Sequence, residues 1–260
     1  MQLSSFVLPD QVDQVAAAGG EYVELFFAGK VSSLTNDEFD DLAKTAQDWP
    51  LRPDRFAGLL PGTISAAGPD VNIAEQNEYL TETFSRMNRL SGGEAVVVFG
   101  SGRSRAIPEG FGRDQALDQL EEFMRRASAL AKDEGITVVL EPLNRKECNV
   151  FNSVSEGGAF LRERDLPDTK LLADLYHMME ENEPISSVVE YGDLIVHTHI
   201  ADTLRKAPGT GTYPLLEFFT ALHQVGYDGK CSIECRWDDF DSEVGPALEY
   251  CREVRQAAGY

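Results

Sequence analysis

The chain has 260 residues, 42% of them hydrophobic and 26% charged, so it can bury one large core. Its formal net charge of −21 repels phosphate backbones and anionic lipid, which argues against nucleic-acid and membrane partners. The N-terminus lacks a basic segment followed by a long apolar stretch, and the four cysteines form no Cys-x-x-Cys pair. We therefore expect a soluble cytoplasmic protein with reduced thiols and a small-molecule ligand.

Short apolar strands alternate with longer helical patterns, and no linker rich in Pro, Gly or Ser interrupts them, which predicts a single domain over residues 1–260. The first strand, Leu3–Val7, is predicted to be a short or trimmed stub. The later strands are predicted at Tyr22–Phe27, Arg55–Leu60, Ala95–Phe99, Ile136–Leu143, Lys170–Tyr176, Leu194–Asp202 and Lys230–Cys235. Helices are predicted at Pro9–Ala18, Asp37–Asp48, Asn72–Leu90, Gly112–Asp133, Val154–Arg164, Pro184–Tyr191, Pro214–Val225 and Ser242–Ala257.

Eight strand–helix repeats of roughly thirty residues each predict an α/β fold of the (β/α)8 TIM-barrel type. A doubly wound open sheet is the alternative, but it would normally carry a glycine-rich first turn. No Gly-x-Gly-x-x-Gly motif occurs in the chain, and Gly100-Ser101-Gly102 comes too late to bind a dinucleotide. The barrel is therefore the favoured architecture.

Two of the four histidines lie two residues apart in the seventh predicted strand. Because side chains alternate between the faces of a strand, His197 and His199 point the same way. An imidazole pair costs desolvation without a packing gain, which favours a metal or substrate on that face. Two core histidines bonded to backbone would produce the same pattern. Glu24, near the end of the second strand, also points inward, as a pocket wall or a loop anchor.

The last four predicted strands each place one metal-competent group near the C-terminal end, where barrels build their sites. These groups are Glu141, Asp174, His199 and Glu234. One such acidic residue is usually a helix cap, but three carboxylates brought together repel one another and call for a divalent cation. Three oxygens with one nitrogen suit Mn²⁺, Mg²⁺ or Co²⁺ better than a structural zinc.

Four segments carry a family resemblance: LEPLNRKECN at Leu140–Asn149, LLADLYHM at Leu171–Met178, HTHIADTLRKAPGTG at His197–Gly211 and SIECR at Ser232–Arg236. Together they resemble the sugar phosphate isomerase/epimerase superfamily of xylose isomerase-like barrels, nearest to ketose 3-epimerases and hydroxypyruvate isomerases. The resemblance covers roughly residues 95–240 and is more specific for the superfamily than for the substrate.

The resemblance implies site residues and a cofactor. The implied metal ligands are Glu141, Asp174, His199 and Glu234, of which Glu141 and Glu234 are also the acid–base pair. The implied substrate contacts are His177, Arg205 and Glu147. His197 is also assigned to the substrate site, but because it points with His199 and lies deeper, its expected role is a supporting hydrogen bond. The implied cofactor is one divalent ion, Mn²⁺ by preference, with Mg²⁺, Co²⁺ or Zn²⁺ as alternatives. A homo-oligomer is consistent with the family.

The expected activity is that of a sugar isomerase or epimerase acting on a ketose or small hydroxy-keto compound by proton transfer through an enediolate. A metal-dependent lyase or hydrolase acting on a keto sugar or a dehydroshikimate-like acid is the alternative, because proton abstraction beside a carbonyl also begins an elimination. A non-catalytic sugar-binding barrel is the second alternative, although a binder needs no acid–base pair. An endonuclease of this superfamily would need more histidines and a basic face.

Overall fold

A computed structural model describes residues 1–260, in which eight parallel strands close into a barrel in chain order. The strands are β1 Gln2–Val7, β2 Val23–Phe26, β3 Pro53–Ala57, β4 Ala95–Phe99, β5 Ile136–Leu140, β6 Thr169–Asp174, β7 Ile195–Ile200 and β8 Lys230–Ile233. The helices are α1 Val12–Ala17, α2 Asn36–Thr45, α3 Ile73–Ser91, α4 Gly102–Arg105, α5 Arg113–Asp133, α6 Val154–Glu163, α7 Leu175–Glu180, α8 Ser186–Glu190, α9 Leu215–Gln224 and α10 Phe240–Ala257. The predicted (β/α)8 barrel is confirmed.

The first strand is longer than the predicted stub. β1 contains six residues and pairs with both of its neighbours, residues 2–5 with β8 and residues 6–7 with β2. The added residue is Gln2, and within the strand Ser4 and Ser5 are polar yet fully buried. Both serine hydroxyls donate to backbone carbonyls, which makes their burial tolerable. β1 thereby closes the ring.

Several predicted strands end earlier in the structure, and the difference matters at the site. β5 ends at Leu140 and β8 at Ile233, so Glu141 and Glu234 come directly after their strands. β6 ends at Asp174, although Tyr176 was predicted as strand. Asp174 ends the strand because its Oδ1 accepts a hydrogen bond from the backbone N–H of Tyr176, which caps α7. The buried residues on both sides of this junction gave no sequence signal for it.

Apolar side chains fill the space between the strands and the helices, and a smaller cluster lies within the ring. That cluster consists of Val96, Val98, Val139 and Leu172. Val139 and Leu172 each lie two residues before a predicted ligand, on the same strand face. The ring interior is therefore apolar below the ligand level, while its C-terminal end carries polar side chains. No helix in the structure combines the length and apolar character needed to span a membrane.

Candidate active site

The four predicted metal ligands meet at the C-terminal mouth of the barrel. Their ligand atoms all lie within 4.8 Å of one another. Glu141, Asp174 and His199 are buried, and Glu234 is partly buried. They converge because neighbouring parallel strands end at the same level of the ring. The members of this group are Glu141, Asp174, His199 and Glu234.

His199 lies between the carboxylates that follow β5 and β8. Its Nδ1 is 2.9 Å from Oε2 of Glu234 and 3.2 Å from Oε1 of Glu141. Its Nε2 is 2.9 Å from Oε1 of Glu24 on the opposite side of the ring. Burial works to lower the pKa of His199, but these carboxylates outweigh it and raise the pKa well above its usual value. A ring nitrogen that faces two carboxylate oxygens must either carry a proton or share a cation with them.

The three carboxylates of this group lie close together in a buried site, and the pKa of each is shifted. Burial, with the nearby charges of Glu234 and Glu141, raises the pKa of Asp174 to about 7. Burial also raises the pKa of Glu141, whereas Glu234 is shifted the other way. Burial disfavours the charged form of Glu234, but Arg205 and His199 outweigh it and hold its pKa at about 2. When the three carboxylates are ionised and His199 is neutral, as metal ligands are, only the Arg205 guanidinium opposes them, and a divalent cation would balance the two remaining negative charges.

Two buried polar atoms at the site have no hydrogen-bond partner in the protein, Oδ2 of Asp174 and Nε2 of His177. Leaving a buried carboxylate oxygen unpaired costs free energy, which a bound cation would recover. Three carboxylates and one imidazole also form the oxygen-rich donor set that hard divalent ions prefer. The residues present therefore fit a divalent metal ion.

His177 is held as a hydrogen-bond donor beside this group. Its Nδ1 is 3.1 Å from the backbone nitrogen of Asn144, which can only donate, so the neutral ring carries its hydrogen on Nε2. Burial and the charge of Arg205 lower the pKa of His177 to about 3, so the ring stays neutral. Nε2 lies 3.5 Å from Oδ2 of Asp174, which places it at the ligand group. Asn144 is not among the residues predicted for the site, and its one sequence signal is its position three residues after Glu141.

Arg205 and Glu147 also lie beside the ligand group. The Arg205 guanidinium is 2.8 Å from Oε1 of Glu234 and 3.0 Å from Oε1 of Glu147. It stacks over the Tyr176 ring with its carbon 4.8 Å from the ring centre. The surrounding loop is organised by the buried Asp202 carboxylate, which accepts four backbone N–H groups. Those groups belong to Thr203, Gly209, Gly211 and Tyr213.

His197 lies deeper than the predicted substrate contacts. Its Nε2 is 2.7 Å from Oε2 of Glu24, and its Nδ1 is 3.0 Å from the carbonyl oxygen of Lys230. Both nitrogens are engaged and the side chain is fully buried, so no ring nitrogen remains for a substrate. This placement agrees with the hydrogen-bonding role and argues against direct substrate contact. Glu24 is neither a pocket wall nor a loop anchor, because it contacts both histidines inside the ring.

Comparisons with known proteins agree with this arrangement. The family model described as xylose isomerase-like TIM barrel matches residues 12–256. An L-ribulose 3-epimerase from Methylomonas sp. is 30% identical over 92% of this chain and 88% of its own length. A 3-dehydro-D-guloside 4-epimerase from Escherichia coli is 30% identical over 68% of this chain and 72% of its own. A crystal structure of a D-allulose 3-epimerase from Methylomonas sp. with D-allulose has a TM-score of 0.85 and 25% identity, covering 98% of this chain and 97% of that one.

Proposed function

The chain belongs to the xylose isomerase-like TIM-barrel family, and we propose that it is a divalent-metal-dependent ketose 3-epimerase. The two relatives described above are epimerases, so the enzyme class is isomerase, as the sequence predicts. One observation carries the proposal: two carboxylates, Glu141 and Glu234, lie in a group of metal-competent residues beside the free Nε2 of His177.

The metal ligands in this proposal are Glu141, Asp174, His199 and Glu234, and Mn²⁺ is the preferred ion. When bound, a divalent ion polarises a carbonyl group and orients the neighbouring substrate oxygens. Asp174 already has one oxygen committed to the cap of α7, so its unpaired Oδ2 is the atom left for the ion.

Glu141 and Glu234 are the proposed acid and base. They follow strands three apart in the ring, and an oxygen of each lies within 3.2 Å of Nδ1 of His199. One carboxylate removes the proton from the carbon next to the carbonyl, and the other returns a proton to the opposite face of that carbon. Because epimerisation is reversible, the two residues exchange roles with direction. Each positioned proton transfer contributes about 10²–10⁴-fold to the rate.

The substrate oxygens have partners among the neighbouring residues. His177 offers its Nε2–H, and Arg205 offers guanidinium N–H groups from its position beside Glu234 and Glu147. Glu147 accepts hydrogen bonds and already receives them from Arg205 and Asn144. This mixture of donors and acceptors suits the hydroxyl groups of a free ketose.

A second candidate is 4-epimerisation of a 3-keto glycoside, in which the proton also leaves a carbon next to a carbonyl. The Escherichia coli relative favours it. So does a cavity of about 290 Å³ beside the site, at the C-terminal ends of β2, β3 and β4. The cavity reaches Ser101 and Gly102, and the adjacent Gly100 packs against the Glu141 carboxylate. It offers room for a sugar longer than a simple ketose.

The deciding experiment is proton exchange in deuterated water, with added Mn²⁺ and a panel of ketoses and 3-keto glycosides. We expect deuterium at C3 of a ketose together with its 3-epimer, whereas the second candidate places deuterium at C4. Exchange with net elimination would favour a lyase. Sugar binding without exchange would favour a non-catalytic binder.

Glu141→Gln and Glu234→Gln test the assigned roles. Each is expected to lower turnover at least about 100-fold while sugar binding persists. Glu94→Gln is the matched control, because Glu94 is exposed and precedes β4 at the opposite end of the barrel. Unchanged turnover in either of the first two variants would refute the assignment.

A further inference from the structure

A second buried group lies directly behind the candidate metal site. Glu24, His197 and His199 are all fully buried, and their nitrogen and oxygen atoms lie within 4.8 Å of one another. Glu24 comes from β2 and the histidines from β7, which are not neighbours in the ring. The pairing of β2 with β3 shifts register between Val23 and Glu24. Such an irregularity turns a side chain, and here Glu24 extends across the interior to β7.

The two Glu24 oxygens have separate partners. Oε1 lies 2.9 Å from Nε2 of His199, and Oε2 lies 2.7 Å from Nε2 of His197. The imidazole planes are at 84°, so each ring presents its own nitrogen edge to one oxygen. On the far side of His197, Nδ1 lies 3.0 Å from the carbonyl oxygen of Lys230. The carboxylate is thus fixed at both oxygens.

This arrangement determines which nitrogen of His199 can bind a metal. A neutral imidazole has one N–H and one lone pair. A carboxylate oxygen facing Nε2 favours the hydrogen on Nε2, which leaves the lone pair on Nδ1. Nδ1 is the nitrogen that faces Glu141 and Glu234. An acceptor behind a metal-binding histidine also increases its basicity as a ligand.

We propose that Glu24 is a positioning residue for the metal ion, acting through His199, and that His197 acts by holding Glu24. This inference rests on the proposed function, because it requires an ion at the site. Neither Glu24 nor His197 touches the ion or the substrate. The competing explanation is that the three residues only satisfy one another's polar groups within the core, in which case their loss would lower stability and leave metal affinity unchanged.

Metal affinity separates these explanations. The metal-free protein, with its melting temperature recorded, is titrated with Mn²⁺ by calorimetry. Removal of a residue behind a metal ligand typically weakens metal binding 10- to 100-fold. We expect a loss of about 100-fold for Glu24→Ala and about 10-fold for Glu24→Gln, whose amide oxygen can still accept from His199. Ser128→Ala is the control, because it removes a buried hydrogen bond to Thr169 outside the ring and should not change affinity.

A second measurement uses the wild-type protein and does not depend on the folding of any variant. The chain has four histidines, so the imidazole ¹⁵N resonances of the Zn²⁺-loaded protein are few enough to assign. We expect hydrogen on Nε2 of His199 and the metal on Nδ1. Hydrogen on Nδ1, or the metal on Nε2, would overturn the proposal.

The outcomes of the titration are distinct. If the wild-type protein binds no divalent ion, the metal site of the proposed function fails and this inference fails with it. If the wild-type protein binds the ion and both Glu24 variants bind it equally well, only the inference fails. An equal loss of affinity in Ser128→Ala would also overturn it, since the effect would then be general destabilisation.

Discussion

Asp202→Asn is expected to loosen the loop that carries Arg205 while leaving the barrel folded. Oδ1 of Asp202 accepts the backbone N–H groups of two residues, and Oδ2 accepts those of two others. Asparagine keeps one oxygen and replaces the other with an NH₂ group. That NH₂ group would face two N–H donors, so two hydrogen bonds are lost wherever the amide is oriented. The four donors are Thr203 (2.8 Å), Tyr213 (3.0 Å), Gly209 (3.0 Å) and Gly211 (2.9 Å).

The expected loss follows from the charge on the acceptor. A hydrogen bond to a charged group contributes about 1.5–3 kcal/mol, so two of them correspond to about 3 kcal/mol at the lower value. Burial works to raise the pKa of Asp202, but the four backbone N–H groups outweigh it and lower the pKa. The carboxylate is therefore ionised at neutral pH. Because its folded-state pKa is depressed, its contribution is present above the ordinary aspartate pKa and is lost as the pH falls through the folded-state value.

Hydrogen exchange measured across residues 203–213 tests this directly. Asp202→Asn should speed exchange there by about 100-fold, since about 1.4 kcal/mol corresponds to a factor of ten. The KM for the sugar should rise as Arg205 loses its fixed position beside Glu234. Asp193→Asn is the matched control, because Asp193 is exposed and pairs only with Arg162 at the surface. Unchanged exchange across this loop would refute the argument that Asp202 organises it.

Two further perturbations test the site itself. Removal of divalent ions with a chelator should lower the melting temperature by about 5–10 °C, because ligand at about 100 times its Kd stabilises by about 2.7 kcal/mol. Mn²⁺ should restore the lost stability. A melting temperature that changes neither with the chelator nor with Mn²⁺ would contradict the metal site. Gly100→Ala should lower turnover about 100-fold, because the added Cβ would overlap Oε2 of Glu141 and displace it. Gly93→Ala is the control and should not change turnover, because a Cβ there meets no atom within 4 Å. Equal turnover in the two variants would show that Glu141 tolerates displacement.

Local sequence was sufficient to predict the barrel and the potential metal ligands at its C-terminal end. Strand and helix periods repeat along the chain, and alternation within each strand places Asp174 and His199 on the inner face. Glu141 and Glu234 reach the mouth of the barrel as predicted, although β5 ends three residues and β8 two residues earlier than predicted. The earlier strand ends do not move Glu141 and Glu234 to the other face, because the chain continues in the strand direction for one more residue.

The tertiary structure alone decided what surrounds these ligands. The Glu24–His197 contact joins residues 173 positions apart, on strands that lie three apart in the ring. No local pattern specifies which position of one strand reaches across to another, and a register shift beside Glu24 sets that position. Asn144 and His177 likewise meet only because the loop after β5 lies against the start of α7. The sequence determined which groups reach the mouth of the barrel, because that follows from periodicity, whereas closure of the ring decided how each group is oriented.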